Sequence, residues 1–412
     1  MHGLWQRLIL QRGDPALKTL RGSNHNGMRQ FNERTVLRAI RLAGAIPKAD
    51  LARLTQLSTQ TVSIIVNRLL LDGLLVKQER IRGKIGQPSV PLSINPDGAY
   101  SVGIQLGRRS LEVVVTDFLG QMRHQWEHSY SYPNPSVVLP KIQEALRLMQ
   151  TKLGDAWARC VGIGLSAPLA MHQWGDVMGA QASLEMAAWE HIDLVAEVQA
   201  MTSLPVEFAK DTTAACVAEL VQGTGRELSR FLYVFVGTFV GGGLVLDGLI
   251  VNGPRGNAGA IGSMPLGLAK RSSASQLLEM ASGWQLEQSL MQHKLDPLLV
   301  QDDAIMDSAH HNLIQPWLEQ ASTALAMCIA SSSALLDLEA VVIDGSLSGQ
   351  LLQALRAHTL EAMQHYRFDG MVAPPILAGK VGRHARALGG SLLPLHAQFF
   401  PDKDIFLKQD LV

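Results

Sequence analysis

The sequence KADLARLTQLSTQTVSIIVNRLLLD, residues 48–72, has the spacing of two helices joined by a tight turn. Pro47 is placed to open the first helix, and Ser58 is placed to cap the second, which we predict over residues 59–72. Gly73 follows as the residue that ends it. This order is typical of a helix-turn-helix unit, whose second helix enters the major groove of DNA.

The second of these helices has two chemically different faces. Its apolar residues recur at i, i+3, i+4, i+7 and i+8, which predicts a buried face formed by Val62, Ile65, Val66, Leu69 and Leu70. The opposite face carries short hydroxyl and amide side chains, which suit hydrogen bonding to base edges and phosphates. A merely solvated face is the alternative. We expect DNA contacts from Thr59, Gln60, Thr61, Ser63, Asn67 and Arg68.

Charge is distributed unevenly along the chain, although the formal net charge is zero. Residues 1–90 contain 15 Lys or Arg and 5 Asp or Glu, whereas the remaining 322 residues contain 21 and 31. A positive surface attracts phosphate, and the release of condensed counterions drives binding. The first quarter is therefore the predicted nucleic-acid surface, and the acidic remainder is excluded from that role.

A basic, glycine-rich turn follows the helix-turn-helix segment. Strand-like residues 74–79 and 90–94 flank it, which predicts the hairpin of a winged helix. At the tip of such a wing, basic side chains touch phosphate or enter a minor groove. A plain hairpin with solvated charge is the alternative. The expected contacts are Arg80, Arg82 and Lys84.

Overall composition is that of a globular protein, with 412 residues, 47% hydrophobic and 17% charged. The three cysteines, Cys160, Cys216 and Cys328, have neither metal-site nor disulfide spacing, so we expect a reducing cytoplasm. Residues 231–246 are apolar, but their glycines favour a hairpin over a membrane helix. No transmembrane segment or export signal is predicted.

Beyond Tyr100, strand-like and helix-like blocks alternate, which predicts an α/β fold. A faint repeat relates residues 102–120 to residues 231–250, both of which have the order strand, glycine turn, strand, Asp, Gly. Two similar lobes with a ligand-binding cleft between them are expected. We expect a flexible arm at 1–30, a winged helix-turn-helix domain at 31–95, a first lobe at 96–225, and a second lobe with effector and oligomerisation surfaces at 226–412.

The segment GQPSVPLSIN after the wing, residues 86–95, and six further dispersed motifs occur in one order and resemble the ROK family of repressors, open reading frames and sugar kinases, over roughly residues 30–395. The resemblance implies an actin-like, ribonuclease-H-like ATPase-type body behind a DNA-binding head. The six further motifs are VGIGLSAPLA at 161–170, KDTTAACVAE at 210–219, VGTFVGGGLVLDGLIVNGPRGNAGAIGSMPLG at 236–267, LEMASGWQLE at 278–287, VVIDGSL at 341–347 and RHARALGGSLLPL at 383–395.

Departures from the family pattern lie at positions where a sugar kinase needs its chemistry. The first hairpin has Gln105 where the resemblance implies an Asp, and Arg108 and Arg109 occupy the turn. These arginines either attract an anion or are surface charges. Asp211 matches the family's catalytic Asp, but Lys210 replaces its usual Asn neighbour. We expect Lys210 to lower the pKa of Asp211; a helix-capping role is the alternative for Asp211.

The loop that resembles the family's sugar loop lacks its Glu and His, since Ala260 and Ser263 stand at those positions. The stretch that corresponds to the zinc knuckle, residues 270–279, contains no cysteine, so we expect no zinc. We expect neither catalytic residues nor a cofactor. The resemblance implies effector contacts at Asn257, Gly259, Ser263, Lys210, Asp211 and Glu279, with a solvated helix acid as the alternative for Glu279.

The function expected from these features is that of a transcriptional regulator, most simply a repressor. Its partners would be double-stranded operator DNA, a small-molecule effector such as a sugar or sugar phosphate, and further copies of itself in a dimer or tetramer. The apolar segment at residues 317–336 is expected to form a buried helix that supports the subunit interface. The alternatives are an active sugar kinase with a DNA-binding head and a regulator controlled by a protein partner.

Overall fold

The computed structural model describes residues 25–79, 90–174, 179–268 and 274–401. The chain divides into two compact units. The first unit contains Met1–Ala99 and Leu395–Val412, and the second contains Tyr100–Pro394. The break between them follows the predicted turn of Asn95, Pro96, Asp97 and Gly98, of which the last three form a short 3-10 helix.

The described residues 25–99 of the first unit form three α-helices and a two-stranded antiparallel sheet. The segment expected to be a flexible arm is helical in its described part, where a helix extends over His25–Ala43; the arm's earlier residues lie outside the described chain. An ion pair of 3.6 Å between Arg29 Nε and Glu33 Oε1 spans one turn of that helix. The elements are α1 (His25–Ala43), α2 (Lys48–Thr55), α3 (Thr59–Leu71), β1 (Leu75–Lys77) and β2 (Leu92–Ile94).

The predicted local signals around α3 are confirmed. The hydroxyl of Ser58 accepts a hydrogen bond of 3.1 Å from the backbone N–H of Thr61, as an N-cap residue does. Gly73 adopts a left-handed φ of 72° immediately after the helix. The predicted apolar face is buried at Val62, Ile65, Val66 and Leu69, whereas Leu70 is partly buried. This face forms the core of the unit together with Val36, Ile40 and Leu51.

The second unit contains two five-stranded sheets of the same topology. Their orders are β5-β4-β3-β6-β7 and β10-β9-β8-β13-β14. In each sheet a hairpin leads, its first strand pairs in parallel with a later strand, and one more parallel strand forms the edge. The strands are β3 (Tyr100–Leu106), β4 (Ser110–Asp117), β5 (Met122–Ser129), β6 (Cys160–Ala167), β7 (Val206–Lys210), β8 (Phe231–Val236), β9 (Val240–Leu246), β10 (Leu249–Ile250), β13 (Ala340–Gly345) and β14 (Ile376–Ala378), with β11 (Pro265–Leu266) and β12 (Ser275–Gln276) forming a separate pair.

The repeat predicted from the sequence therefore corresponds to the leading hairpins of two similar lobes. The α-helices described from residue 100 onward are α4 (Pro135–Leu153), α5 (Ala180–Met186), α6 (Leu194–Ala200), α7 (Asp211–Gln222), α8 (Leu277–Ala281), α9 (Gly283–Gln292), α10 (His311–Leu336), α11 (Gly349–Met363) and α12 (Ala385–Phe399). The predicted buried helix is α10, which packs in the core of the second lobe. None of the described helices combines the length and apolar character needed to cross a membrane.

Glycines let α12 pack closely against the first sheet and against α7. A Cβ atom at Gly164 of β6 would lie 1.7 Å from the carbonyl oxygen of Gly390 in α12. A Cβ at Gly389 would lie 1.6 Å from the carbonyl oxygen of Ala214 in α7. The strand β6 precedes the lobe boundary expected at residue 225, and α12 follows it. These two elements nevertheless pack against each other. The helices bring residues from both ends of the unit to one cleft.

Candidate functional site

The exposed face of α3 carries polar side chains, as predicted. Thr59 and Gln60 are exposed, and Thr61 and Ser63 are partly exposed. Ile64 lies on the same face with 65% of its surface accessible. An exposed aliphatic group on such a helix suits contact with a thymine methyl group.

Asn67 and Arg68, also predicted to contact DNA, bond to other elements of the first unit. Lys48 Nζ donates a hydrogen bond of 3.0 Å to Asn67 Oδ1. Arg68 Nη1 donates one of 3.0 Å to Glu33 Oε1, and its Nε lies 3.7 Å from Asp72 Oδ2. These bonds orient the C-terminal half of α3. The predicted wing residues Arg80, Arg82 and Lys84 lie outside the described residues.

A cleft of about 390 Å³ lies between the two lobes of the second unit. Such a volume is typical of small-molecule sites. Both leading hairpins and the first turns of α7 and α12 contribute to it. Its lining consists of Gln105, Arg108, Arg109, Ser110, Glu112, Glu127, Pro168, Leu169, Ala170, Gln173, Lys210, Asp211, Thr212, Phe235, Thr238, Phe239, Val240, Gly241, Asn257, Ala260, Gly262, Ser263, Leu278, Gln301, Ser346, Arg383, His384 and Arg386.

Arg108 and Gln105 are buried components of the cleft wall. Arg108 is 6% exposed, donates to the carbonyl oxygen of Ser131, and lies over the rings of Tyr132 and Trp284, with its Cζ 4.6 Å and 5.5 Å from the ring centres. Burial lowers the pKa of Arg108 to about 10. Gln105 is 1% exposed. The interpretation of the two arginines as surface charges is wrong, since Arg108 is buried and Arg109 is paired with a buried acid.

That buried acid is Glu287 of α9, which joins the two lobes. Its Oε2 accepts hydrogen bonds from Arg109 Nε at 2.9 Å and Nη2 at 2.7 Å. Its Oε1 accepts one of 2.8 Å from the hydroxyl of Thr238. Arg109 lies in the hairpin turn of the first lobe, whereas Glu287 and Thr238 belong to the second. The contact therefore fixes the first hairpin against the opposite wall.

Asp211 is the first residue of α7 and faces Arg386 of α12. The distance from Arg386 Nη1 to Asp211 Oδ2 is 3.8 Å, and Asp211 Oδ1 accepts a hydrogen bond from the N–H of Thr212. The charge of Lys210 does act to lower the pKa of Asp211, but the expectation that this pKa would be lowered overall is wrong. Burial raises that pKa and outweighs the opposing charges of Arg386 and Lys210. Burial also lowers the pKa of Lys210, whose Nζ donates to Ala258 O at 3.3 Å.

Two further pairs lie at the hairpin edge of the cleft. His384 Nδ1 bonds to Glu112 Oε1, and Arg383 Nη2 lies 3.3 Å from Glu127 Oε2. Both pairs join the start of α12 to the first sheet. Among the described residues, no three His, Cys, Asp or Glu side chains are grouped as a metal site would need.

The structure brings four of the predicted effector residues to this cleft: Asn257, Ser263, Lys210 and Asp211. Gly259 lies in the same loop, with a φ of 71°, and packs against Gly243. Glu279 does not join them. It is exposed, and its side chain completes the capping box of α8 with Gln276, which supports the alternative of a structural helix acid.

Arg386 and Glu287 were not predicted from the sequence as site residues. Glu287 lies 178 residues from Arg109 in the sequence. Arg386 belongs to the segment at residues 383–395, which resembles the ROK family through its glycines and not through this arginine. Glu287 is the only charged residue of α9, and that lone charge was the available signal, because a buried acid needs a cationic partner.

Comparison with known proteins extends these observations. The family model described as "ROK family" matches residues 101–396. The xylose repressor of Caldicellulosiruptor bescii is 25% identical over 246 residues, which are 58% of this chain and 59% of that repressor. Among solved structures, a ROK family transcriptional regulator described as a homolog of the E. coli MLC protein has a TM-score of 0.67 at 19% identity, over 92% of this chain and 98% of the other.

A second solved structure, the ROK hexokinase of Thermus thermophilus, has a TM-score of 0.53 at 24% identity and covers 71% of this chain and 97% of that enzyme. Both structural likenesses concern the fold. They agree with the two duplicated sheets and the intervening cleft, which form the actin-like body of the sugar-kinase type. Since the family model matches most of its length, the chain belongs to the ROK family.

Proposed function

We propose that the chain is a DNA-binding transcriptional regulator, in its simplest form a repressor, which acts in the cytoplasm. Residues 31–95 form a winged helix-turn-helix domain, and the two-lobed body binds a small-molecule effector. The observation that carries this proposal is α3, an amphipathic helix capped by Ser58 whose polar face is exposed rather than packed.

In the proposed complex α3 lies in a major groove. Gln60 and Ser63 face the base edges together with Ile64, which follows Ser63 in the sequence, and Thr59 lies at the helix start near phosphate. Arg80, Arg82 and Lys84 extend the contact to the DNA backbone. Because two such helices suit a palindromic operator, we propose a homodimer or a tetramer as the active form.

The effector is proposed to bind in the cleft, against Asn257, Ser263, Lys210 and Asp211. The name of the xylose repressor and the hexokinase activity of a structural neighbour support a sugar or a sugar phosphate. A ligand that binds better at one angle between the lobes shifts the body towards that conformation. If the two conformations differ in operator affinity, the ligand then controls DNA binding.

A sugar kinase is the second candidate, and one observation favours it. Asp211 begins α7 in the cleft, and the raised pKa of this carboxyl suits a general base. Against it, Gln105 supplies an amide where metal-assisted phosphoryl transfer needs a carboxylate, and Arg386 lies beside Asp211. We therefore propose a body without kinase activity.

Binding to a pool of random duplexes, followed by selection of the retained sequences, tests the DNA-binding proposal. Gln60→Ala with Ser63→Ala should weaken binding to the selected duplex at least about 10-fold, since each lost base contact costs roughly 1–3 kcal/mol. Asn67→Ala with Arg68→Ala should weaken it as well. Arg147→Ala, at an exposed position of α4, is the control and should leave it unchanged. Unaltered binding by both double variants would place the DNA contact elsewhere.

A coupled ATPase assay with a panel of hexoses separates the two candidates. The regulator proposal predicts no sugar-dependent turnover above background. Sugar-dependent turnover that disappears in Asp211→Asn would establish the kinase instead.

A further inference from the structure

Three residues that line the cleft carry N–H donors without a hydrogen-bond partner within the described chain. They are Gln105 Nε2, Arg108 Nε and Arg386 Nε, and all three atoms are buried. Leaving a buried donor unsatisfied costs about 1–3 kcal/mol, so three such donors among the residues of one cleft indicate a group that they bind.

The cationic charges of the cleft are also only partly balanced. Arg109 is paired with Glu287, and Arg383 is paired with Glu127. Within the described chain Arg108 forms no ion pair, and Arg386 has only the loose 3.8 Å contact with Asp211. Burial raises the pKa of Asp211, which makes this acid a weak counterion for Arg386. An anion would supply the missing charge.

We propose that Gln105, Arg108, Lys210 and Arg386, here called the cationic wall, bind an oxyanion carried by the effector. The inference rests on the proposed function, in which the cleft holds the effector. The N–H groups of a guanidinium form a planar fork, whose geometry matches the oxygen atoms of a carboxylate and those of a phosphate. The shared chemistry is therefore a sugar-sized molecule with a carboxylate or a phosphate ester.

Arg386 is held in place for this role before any ligand arrives. Its Cζ lies 4.9 Å from the ring centre of Phe235. The turn that leads into α12 is fixed as well, since the N–H of Gly382 donates to Asp344 Oδ2 at 3.0 Å and the N–H of Val381 donates to Glu219 Oε2 at 3.2 Å. A preorganised cation loses little conformational entropy on binding.

The rest of the cleft indicates more than an inorganic ion. Leu169, Phe235 and Phe239 provide apolar surface, and Asn257 and Ser263 provide polar groups at another part of the lining. Apolar surface next to hydrogen-bonding groups suits the faces of a sugar ring, while the cationic wall receives its charged substituent.

Isothermal titration calorimetry on the full chain tests the inference with three probes: D-glucose, glucose 6-phosphate and D-glucuronate. At least one anionic probe should bind about 10-fold or more tightly than glucose, since a charge-assisted hydrogen bond contributes roughly 1.5–3 kcal/mol. Tighter binding of glucose 6-phosphate assigns a phosphate ester, and tighter binding of glucuronate assigns a carboxylate. The inference is overturned if neither anion binds more tightly than glucose.

Variants locate the effect on the cationic wall. Arg386→Met and Gln105→Leu should each weaken binding of the preferred anion about 10-fold, and Arg386→Lys should weaken it less. If Arg386→Met does not fold, the affinities of Gln105→Leu and Arg386→Lys for the preferred anion still test the inference. Arg367→Met is the control, because Arg367 is 88% exposed and pairs with Asp369 outside the cleft. Wild-type affinity in the folded cationic-wall variants would refute the inference.

Duplex binding measured on the same samples keeps the two proposals apart. A wild-type chain that binds duplex DNA but does not prefer anions refutes the cationic wall alone. A chain that prefers anions but retains no duplex refutes the proposed function alone.

Discussion

The buried ion pair between Arg109 and Glu287 allows a quantitative test of how the lobes are joined. Glu287 is 2% exposed and accepts three hydrogen bonds, two from Arg109 and one from Thr238. Removing one partner of a buried pair leaves an uncompensated charge, which costs about 3–5 kcal/mol. Arg109→Met should therefore lower the free energy of unfolding by about 3–5 kcal/mol. Glu287→Met should lower it by about 3 kcal/mol, because the Arg109 side chain keeps some solvent contact.

The double variant, with methionine at both positions, distinguishes a coupled pair from two independent losses. Since neither charge is then left buried alone, it should be more stable than the sum of the single effects predicts, by roughly 2 kcal/mol or more. Arg230→Met is the matched control. Arg230 also donates two hydrogen bonds to one carboxylate, that of Asp247, but this pair is exposed and should contribute less than about 1 kcal/mol.

Urea unfolding of the full chain, followed by tryptophan fluorescence, measures these differences through the midpoint and slope of the transition. A Glu287→Met chain within about 1 kcal/mol of wild type would refute the argument, because that is the value expected of an exposed pair. A double variant no more stable than the sum of its parts would refute it equally.

Three more predictions concern the body. Gly389→Ala should destabilise the chain, because its Cβ would lie 1.6 Å from Ala214 O, whereas Gly349→Ala meets no atom within 4 Å and should be neutral or slightly stabilising; thermal unfolding of both checks this. Burial raises the pKa of Asp344, so its contribution to stability is present at acid pH and is lost as pH rises through the raised value. The wild-type unfolding free energy should accordingly fall with rising pH across that window, and Asp344→Asn should flatten the slope; an unchanged slope would contradict the assignment. Elemental analysis should find well under one zinc per chain, and a stoichiometric ion would contradict the prediction of no zinc.

Local signals made much of the fold predictable from the sequence. The cap at Ser58, the left-handed turn at Gly73 and the spacing of buried residues in α3 depend on neighbours within a few residues, so their physics is contained in one short segment. The hairpin repeat was predictable for the same reason. The first residue of α1 was not, since the loop-like composition around Gly27 concealed a helix that continues to His25.

The chemistry of the cleft was only partly predictable, because it depends on contacts between distant segments. The pairing of Arg109 with Glu287 joins residues that are 178 positions apart. The pKa of Asp211 depends on burial, which its neighbour Lys210 does not reveal. Arg386 reaches the cleft because α12 packs on the first sheet through glycines, a close approach that only the folded chain displays.

The central claim is that α3 binds duplex DNA. Its most direct test is fluorescence anisotropy of the full chain with the duplex selected from the random pool, at several salt concentrations. The account predicts saturable binding, and the logarithm of the association constant should fall linearly with the logarithm of the salt concentration. The double variant Gln60→Ala with Ser63→Ala should bind the duplex at least about 10-fold more weakly. A chain that retains no duplex from the pool at low salt, or a variant that binds as tightly as wild type, would contradict it.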